Sequence, residues 1–252
     1  MYKRQLLHQV DYKQKVYPFS HNIATSPTAK EEIMSYSNLD IENISIIEPG
    51  IEDSWKRKSK HSNKIYNLLS VSNYIDRKGL DFLIDACFNL RGLKFELTIV
   101  GDKELDQDYY KKLESKINQY DLGNRINLLS TRSRSEINQL MINADYLIQP
   151  AKHETFGMAV YEAMISNLPV LMFKTGAWEE FDKSNLVTVI DNLGSEELTE
   201  RLNEILTESY SLSQSSKTEH RSWKSVALDF EEILLNFNLV KEGKYISNSQ
   251  WN

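Results

Sequence analysis

The stretch QPAKHETFGMAVYEAMISNLPV, residues 149–170, carries two carboxylates, Glu154 and Glu162, eight positions apart around the pair Phe156-Gly157. Carboxylates accept hydrogen bonds from hydroxyl groups, which sugars supply. Between them the sequence passes from loop to helix formers. The N–H groups of Phe156, Gly157 and Met158 would then lie at a helix start, where unpaired donors and the helix dipole suit a phosphate. Gly157 lets a ligand approach the backbone closely. Eight residues of continuous helix would rise about 12 Å, so a ligand with a diphosphate in its middle would be gripped at both ends. Lys78, in the turn NYIDRKG, is a further candidate to meet phosphates as a point charge. Plainer readings stand beside these. Two glutamates on one helix are more often solvated surface, and a Lys before Gly is commonly an exposed helix-start residue. His153 reads as a loop residue rather than a general base, and Phe156 suits a core. Before any resemblance is drawn, the supported reading is a phosphate-bearing ligand at the C-terminal edge of the sheet that carries this stretch.

Other chemistry finds little purchase. The chain has no G-x-G-x-x-G, Walker A, H-E-x-x-H or C-x-x-C pattern, which leaves a dinucleotide or zinc reading unsupported. Histidines at 8, 21, 61, 153 and 220 are scattered, so metal-free chemistry is expected. The single cysteine, Cys87, sits in the apolar run LDFLIDACFNL and reads as a buried structural thiol. A net charge of −6 and a pI near 5.5 argue against a nucleic-acid binder working by phosphate neutralisation. No apolar stretch approaches the roughly 18 residues of a membrane span. The start, MYKRQLLHQVDYKQK, lacks the apolar core of a secretory signal. The cytoplasm is the expected location.

The elements that must position these residues alternate. Apolar runs YNLLSVS, KFELTIVGD, RINLLS, DYLIQP, PVLMF and LVTVI read as strands. Between and after them LDFLIDACFNL, YYKKLESKINQY, SEINQLMINA, the helix of the opening stretch, SEELTERLNEILTE and SWKSVALDFEEILLNF read as helices. Gly123 is expected to cap the second helix, and Ser133 or Ser135 the third. Strands apolar throughout and alternating with helices predict an α/β fold: a Rossmann-like, doubly wound parallel sheet over roughly residues 61–237. Ligands of such sheets bind at the strands' C-terminal ends, here SVSNYIDRKG, IVGDKE, LLSTRS and QPAKHETFG. Ahead of this, HNIATSPTAKEEI reads as strand end, Ser/Thr cap and helix start. ISIIEPGIED reads as a strand with a Pro-Gly turn, and SWKRKSKHSNK as a basic linker. Residues 238–252 form a tail.

At these residues the sequence resembles retaining GT-B glycosyltransferases of family 4, which carry an E-x(7)-E signature. More narrowly, it resembles their C-terminal, donor-binding domain. The likeness runs in order from ATSPTAKEEI to SWKSVALDFEEIL, through SVSNYIDRKGLDFLIDA, LTIVGD, RINLLS and PAKHETFGMAVYEAMISNLPVLMFKTGAWEE. The resemblance implies transfer of a sugar from a nucleotide-diphosphate sugar to a glycan, lipid-linked or small-molecule acceptor, with no cofactor and no metal. Glu154 would be catalytic, contacting the transferred sugar near the reacting carbon, and Glu162 would hold the ribose. Lys78 would neutralise the diphosphate, and Phe156, Gly157 and Met158 would offer N–H groups. Ser130, Thr131 and Arg132 would lie against the base, with Asn73, Gly101, His153 and Thr155 completing the donor-binding set. Four positions depart from the family pattern. Asn73 stands where many relatives have Arg, with Arg77 the adjacent cation. Ser130 and Asn167 stand where Gly is frequent, and Ala177 where a second Gly is.

The front of the chain departs further. GT-B enzymes have a first Rossmann-like, acceptor-binding domain, and residues 1–60 resemble only its last segment plus the linker. Residues 1–5, MYKRQ, also match the translation of a transposon end used in preparing sequencing libraries. The expectation is an N-terminally truncated fragment with those five residues artefactual, inactive alone. Peripheral membrane contact, at the inner face, would fall to the missing domain. Two alternatives remain open. One is a non-catalytic nucleotide-binding module paired with a separate N-terminal half. The other is a nucleotide-sugar epimerase or phosphorylase of the same architecture.

Overall fold

The computed structural model describes residues 21–36, 41–51, 65–208 and 221–236. The readings of residues 1–5, the linker SWKRKSKHSNK and the tail from 238 lie outside these residues. The described part opens with a small parallel pair, β1 (Asn22–Ala24) and β2 (Ile44–Ile46), joined through α1 (Pro27–Tyr36). Pro27 begins the helix, where its missing N–H costs nothing and its fixed φ is already helical. Ser26 accepts the Ala29 N–H at 3.0 Å, as the Ser/Thr cap expected there.

The main sheet has six parallel strands. In chain order its elements are β3 (Tyr66–Val71), α2 (Leu80–Asn89), β4 (Phe95–Val100), α3 (Gln107–Gln119), β5 (Ile126–Leu129) and α4 (Arg134–Asn143). Then come β6 (Tyr146–Gln149), α5 (Met158–Ile165), β7 (Val170–Phe173), the short α6 (Trp178–Phe181), β8 (Val187–Ile190), α7 (Ser195–Leu206) and α8 (Trp223–Asn236). The spatial order is β5-β4-β3-β6-β7-β8. The first strand of this sheet is therefore central, and the winding reverses between β3 and β6. Sheets of this kind bind their ligands beside such a reversal, at the strands' C-terminal ends.

Each strand feeds two cores because successive side chains point to opposite faces. Leu68, Ile148 and Leu171 join α2, α3 and α7 on one face; Leu69, Leu147 and Val170 join α4, α5 and α6 on the other. Burial on both faces explains why these strands read as unbroken apolar runs. Cys87 lies in the first core, and burial pushes its thiol up to about 12, so it is inert.

Local chemistry corrects one cap and decides another. Ser133 accepts the Glu136 N–H while Glu136 accepts the Ser133 N–H, a full capping box, so Ser133 rather than Ser135 starts α4. Gly123 does not cap α3. That helix ends at Tyr120, and the left-handed residue is Asp121 at φ 54°, a conformation Asp tolerates better than most side chains. Asn167 also adopts φ 54° and fits for the same reason. Ala177, at φ −82°, needs no glycine.

Candidate functional site

The candidate site grows from two loops that lie against each other at the strands' C-terminal ends. After β3 the chain makes a single 3-10 turn, Asp76–Lys78, and enters α2 through Gly79 at φ 61°. A Cβ on Gly79 would sit 2.0 Å from the Pro150 carbonyl oxygen, so only glycine lets the β3 loop lie against the loop after β6. The contact is extended by the Lys152 N–H donating to the Arg77 carbonyl at 2.8 Å and the Arg77 guanidinium donating to the His153 carbonyl at 3.2 Å. Arg77, the cation adjacent to the departure at Asn73, is thus engaged with the neighbouring loop.

This apposition brings Lys78 and Glu154 into a direct ion pair with side chains only 11% and 10% exposed. Gln149, 2% exposed at the end of β6, donates from Nε2 to Glu154 Oε1 at 2.9 Å. Lys78 is therefore no exposed helix-start residue, and Glu154 is no surface glutamate. Removing one partner of such a pair leaves a buried charge, at a cost of about 3–5 kcal/mol.

Glu154 precedes α5 by four residues, so the rise of a continuous eight-residue helix does not describe the separation of the two carboxylates. The helix starts at Met158 behind Gly157, which takes φ 109°. The carbonyls of this loop are held from outside. Thr155 O accepts Ser26 Oγ–H at 2.5 Å and Phe156 O accepts the Ala177 N–H at 2.9 Å. Gly176, at φ 67°, lies so close that a Cβ would meet Phe156 O at 2.5 Å and Glu154 Cβ at 2.9 Å. Thr28 Oγ1 donates to the Gly176 carbonyl at 2.6 Å. Phe156 is core as well as site, 4% exposed and edge-on to Tyr161 and Phe181. Glu162, on the second turn of α5, lies 3.5 Å from Arg134 at the start of α4. Burial raises its pKa above the ordinary glutamate range, and the Arg134 charge opposes that rise.

The remaining expected residues are less central. Asn73 is exposed, and its Oδ1 accepts the Asp102 N–H at 3.2 Å. Gly101 serves the close approach of strand ends, since a Cβ there would lie 2.1 Å from Ser72 O. Ser130, Thr131 and Arg132 follow β5, with Arg132 Nη1 3.1 Å from Ser130 Oγ; of this stretch it is Arg134, two residues on, that reaches Glu162 of α5. His153 turns to the N-terminal segment, its ring 2.5 Å from Glu32. Thr28, Arg134 and Gly176 escaped sequence reasoning, and Ser26 was read only as a helix cap, without its reach to Thr155. Gln149 was passed over too, although a polar side chain ending an apolar strand was a readable hint. Tyr74, wholly buried, supports the floor with its hydroxyl 2.8 Å from both Ile99 O and Leu129 O. A separate open groove between α3 and the edge strand β5, lined by Tyr110, Glu114 and Leu128, shares no residue with this site.

A parallel sheet whose order reverses beside a buried Lys–Glu pair and a helix started by glycine defines a doubly wound α/β domain. The chain belongs to the glycosyl transferases group 1 family, whose model matches residues 51–223. It is 31% identical to the lipopolysaccharide glucosyltransferase WaaG of Escherichia coli over 67% of this chain and 48% of that protein. It is 33% identical to an uncharacterised glycosyltransferase of Methanocaldococcus jannaschii over 46% of this chain and 31% of that one. The chain thus spans about half the length, or less, of these curated relatives. Among solved structures, Anabaena Alr3699/HepE in complex with UDP and glucose matches with a TM-score of 0.73 at 22% identity, covering 86% of this chain and 63% of that one. Sucrose-phosphate synthase from Thermosynechococcus elongatus matches at 0.74 and 16% identity, covering 87% and 58%. These likenesses establish the GT-B type of fold. Among the described residues no helix is long and apolar enough to cross a membrane.

Proposed function

We propose that this chain binds the nucleotide-diphosphate sugar donor of a glycosyltransferase that retains configuration at the transferred carbon. The observation that carries the reading is the buried Lys78–Glu154 pair, where the loops after β3 and β6 meet beside the start of α5. A donor's diphosphate would draw Lys78 and the α5 N-terminus. Glu154 would turn its carboxylate to hydroxyls of the sugar, and Glu162 to those of the ribose. The anion-stabilising groups are protein groups, so the donor needs no metal in this reading. In the whole protein, the bond from the sugar carbon to the phosphate oxygen breaks as the acceptor oxygen bonds on the same face. The departing phosphate takes the acceptor's proton. The acceptor is a glycan, lipid-linked or small-molecule hydroxyl, met in the cytoplasm or at the inner face of the membrane.

Calorimetry with UDP-, GDP- and ADP-sugars tests donor binding. The double variant Lys78→Met with Glu154→Gln removes both charges and leaves neither buried alone. We expect it to keep its melting temperature and to lose at least about tenfold in affinity, or ~1.4 kcal/mol. Chelator should leave wild-type affinity unchanged. Absence of binding by the wild-type chain to every nucleotide sugar in the panel would sink the reading.

A further inference from the structure

Outside the donor-facing groups lies a second, denser polar cluster. Lys152 Nζ is 3.1 Å from both carboxylate oxygens of Asp76 and 3.7 Å from Asp81 Oδ1. It also sits 4.8 Å from the centre of the Phe82 ring. Asp81, 8% exposed in the first turn of α2, accepts from Tyr109 Oη–H at 2.9 Å and lies 3.2 Å from Lys112. Its carboxyl is penalised by burial, yet the Tyr109 hydrogen bond and the Lys152 and Lys112 charges hold it below the usual range. The cluster spans α2, α3 and both site loops. Lys78 lies two residues after Asp76, and Glu154 two residues after Lys152. The main-chain bond from Lys152 N–H to Arg77 O runs between the same segments.

We propose that Lys152 is a positioning residue: its ammonium, held between Asp76 and Asp81, fastens the loop carrying Glu154 to the turn carrying Lys78 and sets the spacing of the two. The inference rests on the donor reading, with Lys78 facing the diphosphate and Glu154 the sugar. The charge makes this more than packing. One three-donor cation meets two carboxylates on one turn and the next helix, so the loop has one favoured register against them. A mispositioned loop would move Glu154 off the sugar while the α5 N-terminus still met the phosphates.

The test compares UDP with UDP-glucose by calorimetry, and follows amide hydrogen exchange, on the full chain and its variants. Lys152→Met keeps the apolar stem over Phe82, and Asp76→Asn alters only an exposed residue, so both should fold. We expect Lys152→Met to lower UDP-glucose affinity about tenfold while UDP affinity changes by less than about twofold. Exchange at residues 151–154 should quicken, with the β3 and β6 amides unaltered. Asp76→Asn should show the same pattern weakly, and Lys152→Arg should restore wild-type behaviour. Equal weakening of both probes would overturn the proposal and mark Lys152 as merely structural. So would unchanged exchange at 151–154. Should the wild-type chain bind neither probe, the nucleotide sugar of the panel that does bind, with its own nucleotide diphosphate, replaces the pair; should none bind, the donor reading fails, and the exchange pattern alone decides for or against the fastening.

Discussion

Glu162 is a carboxylate that the fold holds at a cost. Burial raises its pKa, and Arg134 at 3.5 Å offsets only part of the penalty. A carboxyl whose folded pKa lies above its unfolded value favours the fold when protonated. Its contribution is complete below the unfolded value of about 4.3 and is lost as pH rises through the folded value. At neutral pH, therefore, the ionised group destabilises. Glu162→Gln should raise the melting temperature near neutral pH by about 2–4 °C if the relief is ~1 kcal/mol. The gain should vanish near pH ~4, where wild type is itself protonated. Donor affinity should fall in the same variant. Scanning fluorimetry at both pH values checks the sign; a gain that persists in acid would mean the relief is not electrostatic. Such an exchange of stability for a charged ligand contact is common at binding sites.

Among the elements, the loops that carry the site are shaped by glycines whose neighbours leave no room. Gly176 combines φ 67° with a Cβ position 2.5 Å from Phe156 O. Gly176→Ala should lose roughly 2 kcal/mol of stability from backbone strain alone, and more as the Glu154 loop is pushed aside. Gly123→Ala, where a Cβ meets nothing within 4 Å, is the control and should be near neutral. Denaturant unfolding of the two variants, with UDP-glucose titration of each, separates strain from the loss of mere flexibility. The elements themselves were largely legible. Strands buried on both faces must be apolar throughout, so YNLLSV, FELTIV and YLIQ stand out from the polar turns. Glu154, Gly157 and Glu162 were legible because they fall within nine consecutive residues. The bonds from Ser26 to Thr155 and from Thr28 to Gly176 cross 129 and 148 positions, and no local pattern marks them. Gly123 misled because a glycine after a helix usually supplies the left-handed cap, and here Asp121 takes that conformation two residues earlier.

At the scale of the whole molecule, the N-terminal segment is fastened to the site and to the last helix alike. Ser26, which caps α1, and Thr28 and Glu32 on its first two turns reach Thr155, Gly176 and His153. Ile51 donates its N–H to Arg221 O at 2.8 Å, and a Cβ on Gly50 would meet Trp223 N at 2.6 Å. The path from β2 thus runs beside the entry to α8. Because Ser26 and Thr28 grip carbonyls of the two loops that flank Glu154, this segment should tune donor binding without touching the donor. Thr28→Val keeps the shape and removes one hydrogen bond, worth about 1 kcal/mol. If that bond holds the Gly176 loop in its binding geometry, UDP-glucose affinity should fall by about fivefold, while the melting temperature drops by no more than about 2–4 °C. Ser26→Ala should cost more stability, since Ser26 also caps α1. Affinity unchanged in both variants would show that the two loops keep their geometry without α1.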